Sequence, residues 1–262
     1  MDKGISFYWG FDTNLNERAK LLNSIGFNCV ITNTDLKFKK QNGTIRQQMK
    51  LFNQYNLKLS TLHMRYNAQD LPYFWTRSRK GNWMERRLIK DVKTASKYGC
   101  KYVVTHLKGI PSKVGLDRLN RVLKVCEKYN TSLAIENTEN IACFMHTFDN
   151  IKHKHLKFCY DSGHAHCFNP DIDFLTLFAD KLVCLHLHDN MGKNDDHTLN
   201  KYGTINWDKI AQKLAQINFD GSLDYETLML AEHNETAKEV AIEVYNQACE
   251  LEKLIEKYKK QR

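Results

Sequence analysis

Closely paired cysteines are missing from this 262-residue chain, although it contains eight cysteines. None of them forms a CxxC pair, and their spacing excludes a small secreted scaffold held together by disulfides. Cys29, Cys100, Cys159 and Cys184 lie in or beside apolar runs, where a cysteine usually acts as a small buried hydrophobe. Eight reduced thiols predict a cytoplasmic protein.

Long hydrophobic segments and glycine-rich loops are missing as well. No run approaches the roughly 18 apolar residues of a membrane helix, so we expect no membrane partner. The first residues, MDKGISFYWG, lack the basic and apolar regions of a signal peptide. FYWGFDTN, which follows the first apolar residues, is neither a dinucleotide fingerprint nor a Walker loop, which argues against a nucleotide-binding open sheet.

Acidic residues are fewer than basic ones, with 30 Asp and Glu against 39 Lys and Arg and a net charge of +9. Part of the excess lies in the C-terminal EKLIEKYKKQR, which is typical of a solvated helix end. The stretches KFKK (37–40) and RSRK (77–80) follow strand-like runs. Their charge is either plain loop solvation or an attraction for a phosphorylated substrate or a nucleic-acid backbone, and the sequence leaves both open.

Strand-like apolar runs alternate with segments of helical spacing throughout the chain. LNERAKLLNSIG (15–26) and WMERRLIKDVKTASKYG (83–99) are helical in period and end on glycine. The predicted strands are ISFYW, NCVITN, LKLSTLHM, KYVVTHL, TSLAIEN, LKFCYD, LVCLHLHD and GSLDYET. Eight such units without a composition break predict an α/β fold, a single (β/α)8 TIM barrel over residues 1–262, with a C-terminal helix over 235–259 closing it.

Potential metal ligands lie within a residue or two of the end of six successive strand-like runs. They are His63, His106, Glu136, Asp161, His186 and Glu226. Because the ends of consecutive parallel strands meet at one rim of a barrel, these side chains are expected to converge. Carboxylates and imidazoles that converge in a desolvated place are costly unless a cation compensates them. The pattern therefore predicts a metal centre and, with it, catalysis.

Three more polar residues extend this set. His164 follows Asp161 in the motif DSGH, and Asp195 and His197 form a D-x-H unit in the loop after the seventh strand. Each motif has a structural alternative: DSGH is typical of an Asx-turn that starts a helix, and polar loops often contain Asp and His. His188 shares a strand face with His186 by the two-residue alternation.

These motifs together resemble the xylose isomerase-like barrel superfamily, which contains sugar isomerases and epimerases and also endonuclease IV. The matching pieces are LHMRYN, VVTHL, LAIENTEN, CYDSGHAH, LHLHDNMGKNDDH…YGTINW and GSLDYET. The stretch HDN…YGTINW is the most specific of them, and it is similar to sugar phosphate isomerase/epimerase-like proteins. The resemblance extends over roughly residues 5 to 230.

The epimerase branch of the resemblance implies one divalent cation (Mn²⁺, Co²⁺, Mg²⁺ or Zn²⁺) and a sugar or sugar phosphate as substrate. Its ligands would be Glu136, Asp161, His186 and Glu226. Glu136 and Glu226 would also move a proton as base and acid through an enediolate. His63, His164 and His188 would contact the substrate hydroxyls. Trp9, Tyr66, Phe74 and Trp75 would supply apolar walls.

The endonuclease IV branch implies three zinc ions and abasic DNA as substrate. His63, His106 and Glu136 would bind the first ion. Glu136, Asp161, His186 and Glu226 would bind the second, and His164, Asp195 and His197 the third. The sequence departs from that enzyme in THLKGIPS, which lacks a proline-glycine step, and in ENTEN, which lacks a glycine-containing continuation. Isomerase or epimerase activity is therefore the expected function, and phosphodiester hydrolysis the alternative. The aromatic run YFW (73–75) is a candidate for self-association or for covering the pocket.

Overall fold

The computed structural model describes residues 1–34, 39–64, 67–228 and 234–261. Eight parallel strands form one sheet in the order β7-β6-β5-β4-β3-β2-β1-β8. They are β1 (Lys3–Ser6), β2 (Cys29–Asn33), β3 (Lys58–His63), β4 (Tyr102–Thr105), β5 (Ser132–Glu136), β6 (Leu156–Asp161), β7 (Leu182–His186) and β8 (Leu223–Tyr225). Leu187, just beyond β7, closes the ring: its N–H donates to the Asp224 carbonyl and its carbonyl accepts from the Glu226 N–H, both at 2.8 Å. The predicted (β/α)8 barrel is confirmed.

Helices connect successive strands on the outside of the barrel. They are α1 (Leu15–Ile25), α2 (Lys39–Asn42), α3 (Ile45–Gln54), α4 (Arg79–Lys97), α5 (Lys113–Lys128), α6 (Ile141–Asn150), α7 (Ser162–Phe168), α8 (Phe174–Leu177), α9 (Trp207–Gln216) and α10 (Ala237–Lys259). Thr44 and Thr236 start α3 and α10 with capping boxes that satisfy their first backbone N–H groups. The last helix begins two residues later than expected and packs against α1 and α9.

The barrel interior has a layer of small side chains under the rim. Val104, Ala134, Cys159 and Cys184 pack together there and are almost fully buried. Cys29 and Cys100 are also buried, so the expectation of four cysteines acting as small core residues is confirmed. The residue two positions beyond each member of the interior layer points the same way. Those residues are His106, Glu136, Asp161 and His186, which form the next layer towards the C-terminal ends of the strands.

Among the helices of the described ranges, none combines the length and the apolar character needed to cross a membrane. The cytoplasmic location and the extent of the domain over residues 1–262 stay predictions. Of the aromatic run 73–75 only Tyr73 is exposed, because Phe74 and Trp75 are buried in the core, so the expectation of a self-association surface made of this run is corrected.

Candidate metal centre

Glu136 lies at the centre of the site and is 1% exposed. Four imidazoles surround its carboxylate: His106 Nε2 lies 3.0 Å and His164 Nδ1 3.1 Å from Oε1. His186 Nδ1 and His63 Nε2 lie 3.0 and 3.5 Å from Oε2. Burial raises the pKa of Glu136, but the positive charges of His106 and His186 outweigh that effect and hold the pKa well below its ordinary value. Glu136 is therefore an ionised carboxylate inside the protein.

Glu226 faces Glu136 across His186. Its Oε2 lies 3.1 Å from His186 Nδ1, the same nitrogen that approaches Glu136. Burial raises the pKa of Glu226, but the charge of His186 outweighs this and lowers the pKa to about 2. Burial lowers the pKa of His186, and the two glutamates more than offset it, so this pKa is raised well above its ordinary value. One imidazole thus shares its charge between two carboxylates.

Asp161 completes this inner group and is held in place by its neighbours. Its Oδ1 accepts from the His164 N–H at 2.7 Å, which confirms the Asx-turn interpretation of DSGH. The Asn137 side chain brackets its backbone, donating to the Asp161 carbonyl at 2.9 Å and accepting its N–H at 2.8 Å. His188, fully buried behind the rim, places Nε2 3.1 Å from Asp161 Oδ1. Asp161 is therefore both a helix cap and a fixed carboxylate.

A further group lies at the edge of the same site. Asp195 Oδ2 lies 3.1 Å from His164 Nε2 and 3.2 Å from His197 Nε2. His197 Nδ1 hydrogen-bonds the Glu226 carbonyl at 2.8 Å, which ties the loop to the end of β8. Burial lowers the pKa of His197, but its hydrogen bond to Asp195 outweighs that effect and raises the pKa to about 9. The structure thus joins the D-x-H unit to His164.

The side-chain nitrogen and oxygen atoms of this cluster are placed better for binding a cation than for hydrogen bonding to one another. The Glu136 Oε2 and both His186 ring nitrogens are buried and have no hydrogen-bond partner among the described residues, although Glu136 Oε2 and His186 Nδ1 lie only 3.0 Å apart. Asp195 Oδ1 is likewise buried and has no hydrogen-bond partner among the described residues. Atoms that converge in this way, without hydrogen-bond geometry, are those expected of ligands for a metal ion.

Among the described residues, four sets of ligand atoms are compact enough to bind an ion, with all atoms of a set within 4.8 Å of one another, and three of them consist of predicted ligands. These three sets are His63, His106 and Glu136; Glu136, Asp161, His186 and Glu226; and His164, Asp195 and His197. Cys159 forms a fourth such set with Glu136 and His186, a combination that the sequence did not suggest. All nine residues predicted as ligands are therefore close together at one rim.

A cavity of about 200 Å³ opens onto this rim. It is lined by Ser6, Tyr8, Asn33, His63, His106, Glu136, His164, Asp195, His197, Glu226, Thr227 and Leu228. Ser6, Tyr8, Asn33 and Thr227 were missed from the sequence. Ser6 and Asn33 are the last residues of β1 and β2, so the strand-end rule that found the ligands would have found them if it had included neutral side chains.

The structure places several predicted substrate contacts elsewhere. Trp9 is 1% exposed, and its indole N–H donates to the Ala237 carbonyl at 3.2 Å. Trp75 and Phe74 are also core residues, and the Trp75 ring packs over Gly115, where no side chain larger than hydrogen would fit. Neither tryptophan lines the cavity, so their assignment as its apolar walls is corrected: both are too deeply packed. His188 contacts Asp161 rather than the cavity, and Tyr66 lies outside the described residues.

The Asp189 carboxylate connects the two halves of the motif HDN…YGTINW. It is fully buried, and its carboxylate accepts from the Trp207 indole N–H at 2.6 Å, the Ile205 N–H at 3.0 Å and the Asn190 N–H at 2.8 Å. Gly203 lies so close to Asp189 that a Cβ would collide with the carboxylate. The motif therefore folds the loop that carries Asp195 and His197, with one carboxylate as its anchor.

Replacing Asp189 with asparagine is expected to destabilise the chain by about 2–3 kcal/mol. An amide NH₂ would face the Trp207 indole or a backbone N–H, which leaves buried donors without an acceptor. Asp196, partly exposed and on the same loop, offers a matched control. Urea unfolding of Asp189→Asn and Asp196→Asn measures the effect. Equal free energies of unfolding would contradict the anchoring role.

Residues 19–247 match the family model described as xylose isomerase-like TIM barrel. The chain belongs to this family. It is 33% identical over 111 residues to an uncharacterised protein of Sinorhizobium fredii, and the alignment covers 40% of this chain and only 36% of that protein.

Solved structures of other proteins have the same architecture. A D-tagatose 3-epimerase-like protein superposes with a TM-score of 0.80 at 17% identity, covering 98% of this chain and 99% of the other. A D-psicose 3-epimerase of Clostridium cellulolyticum, solved with D-tagatose, gives 0.68 at 16% identity, with coverage of 99% and 96%. At such identities the similarity establishes the fold.

Proposed function

We propose that this member of the family is a divalent-metal-dependent isomerase or epimerase of a sugar or sugar phosphate. The observation that carries the proposal is the pair of carboxylates, Glu136 and Glu226, on either side of His186 and both on the cavity wall. Proton transfer next to a carbonyl needs such a pair, one group to accept the proton and another to supply it. The sugar epimerases with the same fold support this choice.

The proposed reaction starts at the C–H bond next to the sugar carbonyl. One glutamate accepts the proton, the electron pair of the C–H bond forms the C=C bond of an enediolate, and the carbonyl oxygen takes the negative charge. The second glutamate, after taking up a proton from solvent, delivers that proton to carbon while the C=C electron pair forms the new C–H bond and the carbonyl re-forms. The first glutamate then releases its proton to solvent. A cation bound by Glu136, Asp161, His186 and Glu226 would polarise the carbonyl as a Lewis acid.

The remaining groups of the cavity position the substrate in this proposal. His63, His106 and His164 are nearly buried imidazoles that can donate to or accept from sugar hydroxyls. Tyr8 and Asn33 add a phenol and an amide to the cavity lining. The volume of about 200 Å³ accommodates the reacting carbons of one sugar and little water.

Phosphodiester hydrolysis is the second candidate, because nine residues fall into three ligand sets around Glu136 and not into one. Several ions a few ångströms apart can stabilise the attacking and leaving oxygens of a phosphodiester. A single-ion epimerase has no need for a set made of His164, Asp195 and His197. The two functions therefore differ in the number of ions that they use.

The experiment compares both substrate classes on the same metal-loaded preparation. Ketoses and ketose phosphates are incubated in D₂O with the Mn²⁺, Co²⁺ or Zn²⁺ form, and deuterium at carbon is measured by mass spectrometry. An abasic-site duplex is assayed in parallel over a salt series. Deuterium incorporation without strand cleavage is expected. Cleavage of the duplex without exchange in any sugar would replace the proposal with its alternative.

A further inference from the structure

A second cavity adjoins the catalytic one. It has a volume of about 280 Å³ and lies between the end of β2, the turn from α2 to α3, and α4. Its lining residues are Asn33, Thr34, Asn42, Gly43, Thr44, Ile45, Gln48, Arg87, Lys90, Asp91 and Thr94. Asn33 lines both cavities, so a ligand that extends past Asn33 reaches from one into the other.

Two buried amides contribute open donors to this cavity. Asn42 is 3% and Gln48 2% exposed. The Asn42 Oδ1 accepts from Arg18 at 3.1 Å, and the Gln48 Oε1 accepts from the Thr32 hydroxyl at 2.7 Å. Within the described part of the chain, the amide nitrogens of both residues make no hydrogen bond. Since a guanidinium only donates, Arg18 fixes which end of the Asn42 amide faces the cavity.

The charged groups of the cavity favour an anion. Asp91, the single carboxylate in the lining, accepts from the Thr34 hydroxyl at 3.0 Å and lies 3.5 Å from Arg87 Nε. Arg87 donates its Nη2 to the Thr34 carbonyl at 3.1 Å, and Lys90 adds a second cation. The amino end of α3, which begins at Ile45, also carries partial positive charge. The Asp91 carboxylate and the amide oxygens of Asn42 and Gln48 thus already have partners within the protein. The amide N–H groups and the positive charges of Arg87 and Lys90 can contact a ligand in the cavity.

We propose that this cavity, which we call the phosphate subsite, binds the phosphate group of a phosphorylated sugar whose carbonyl end occupies the catalytic cavity. A phosphate has acceptors only, which matches a lining of open amide N–H groups, Arg87 and Lys90. The proposal rests on the proposed function for the reacting end of the substrate. It narrows the substrate class from sugars in general to sugar phosphates.

Gln48→Glu and Lys90→Gln test the phosphate subsite. Gln48→Glu keeps the oxygen that accepts from Thr32 and replaces the open NH₂ donor with a negative oxygen. Lys90→Gln removes one exposed cation. The matched controls are Gln54→Glu and Lys50→Gln, which make the same charge changes at exposed positions of α3 outside the cavity lining.

The first readout is the Kd for inorganic phosphate, measured by calorimetry on the metal-free chain so that phosphate cannot bind a metal ion. Gln48→Glu is expected to weaken binding at least about tenfold and Lys90→Gln about three- to tenfold, because each loses a charge-favoured contact. The controls are expected to stay within about twofold of the unmodified chain. Equal Kd values in Gln48→Glu and Gln54→Glu, or no phosphate binding by the unmodified chain, would overturn the subsite.

The second readout separates the subsite from the proposed function. The ratio kcat/KM is measured for the same ketose with and without its phosphate. The unmodified chain is expected to prefer the phosphate, and Gln48→Glu to lose that preference through KM. Exchange with both sugars at equal kcat/KM would leave the proposed function intact and overturn the subsite. Phosphate binding that responds to Gln48→Glu, without exchange in any sugar, would overturn the proposed function and keep the anion site.

Discussion

Glu136→Gln is expected to lower turnover of a sugar substrate by at least about a thousandfold, in line with the loss of a proton-transferring group. Glu136 lies within 3.0–3.5 Å of four imidazoles and belongs to two of the three predicted ligand sets. A glutamine at this position has one neutral oxygen and an NH₂ group that faces the imidazoles. Both proton transfer and metal binding should therefore fail together.

Glu139→Gln is the control for this substitution. Glu139 lies three residues further along, is exposed at the surface and pairs with Lys108 at 2.5 Å, outside the cavity lining. Steady-state kinetics and elemental analysis on the two variants give turnover and bound metal. Turnover of Glu136→Gln within tenfold of Glu139→Gln would contradict a catalytic carboxylate at this position.

Removal of metal is expected to abolish activity and to lower the Tm by about 8–16 °C. A ligand present at a thousand times its Kd stabilises a fold by about 4 kcal/mol, and each kcal/mol shifts the Tm of a chain of this size by about 2–4 °C. The physical reason is that, without a metal ion, only the protonated imidazoles compensate the negative charge of the buried carboxylates. Calorimetry before and after chelation, and again after Mn²⁺, Co²⁺ or Zn²⁺ is returned, measures this. An unchanged Tm and activity after complete removal would contradict the metal centre.

The number of ions is measured in the same series. If the set made of His164, Asp195 and His197 binds an ion, Asp195→Asn should lose that ion and keep the one bound around His186. Asp196→Asn, one residue away, should keep every ion. Three zinc ions per chain, falling to two in Asp195→Asn, would favour phosphodiester chemistry, whereas a single ion unaffected by this change favours the epimerase.

The barrel and the six clustered residues at strand ends were predictable because strand alternation and strand ends obey simple geometry, whereas His164, Asp195 and His197 were predicted from their local motifs. A residue two positions beyond a small interior residue such as Ala134 or Cys159 points to the same interior. Parallel strands bring those positions to one rim, so polar side chains at successive strand ends lie close together there. The same rule also predicts a place at the rim for Ser6 and Asn33, but it was applied only to residues that could bind a metal.

The aromatic walls were not predictable in this way. Whether Trp9 or Trp75 faces a cavity depends on loop packing, such as the room that Gly115 leaves for the Trp75 ring, and sequence periodicity does not encode it. The structural role of Asp189 as an anchor of the loop could not be predicted from the sequence either. Its partners Ile205 and Trp207 lie 16 and 18 residues later, and only the folded loop brings their N–H groups to one carboxylate.

The most direct test of the central claim is deuterium exchange at carbon in metal-loaded Glu226→Gln, beside the unmodified chain. Glu226 shares His186 with Glu136, and both glutamates line the cavity. The unmodified chain is expected to incorporate solvent deuterium next to the sugar carbonyl, and Glu226→Gln with its metal still bound to incorporate none. Full exchange in metal-loaded Glu226→Gln would contradict proton transfer between these two glutamates.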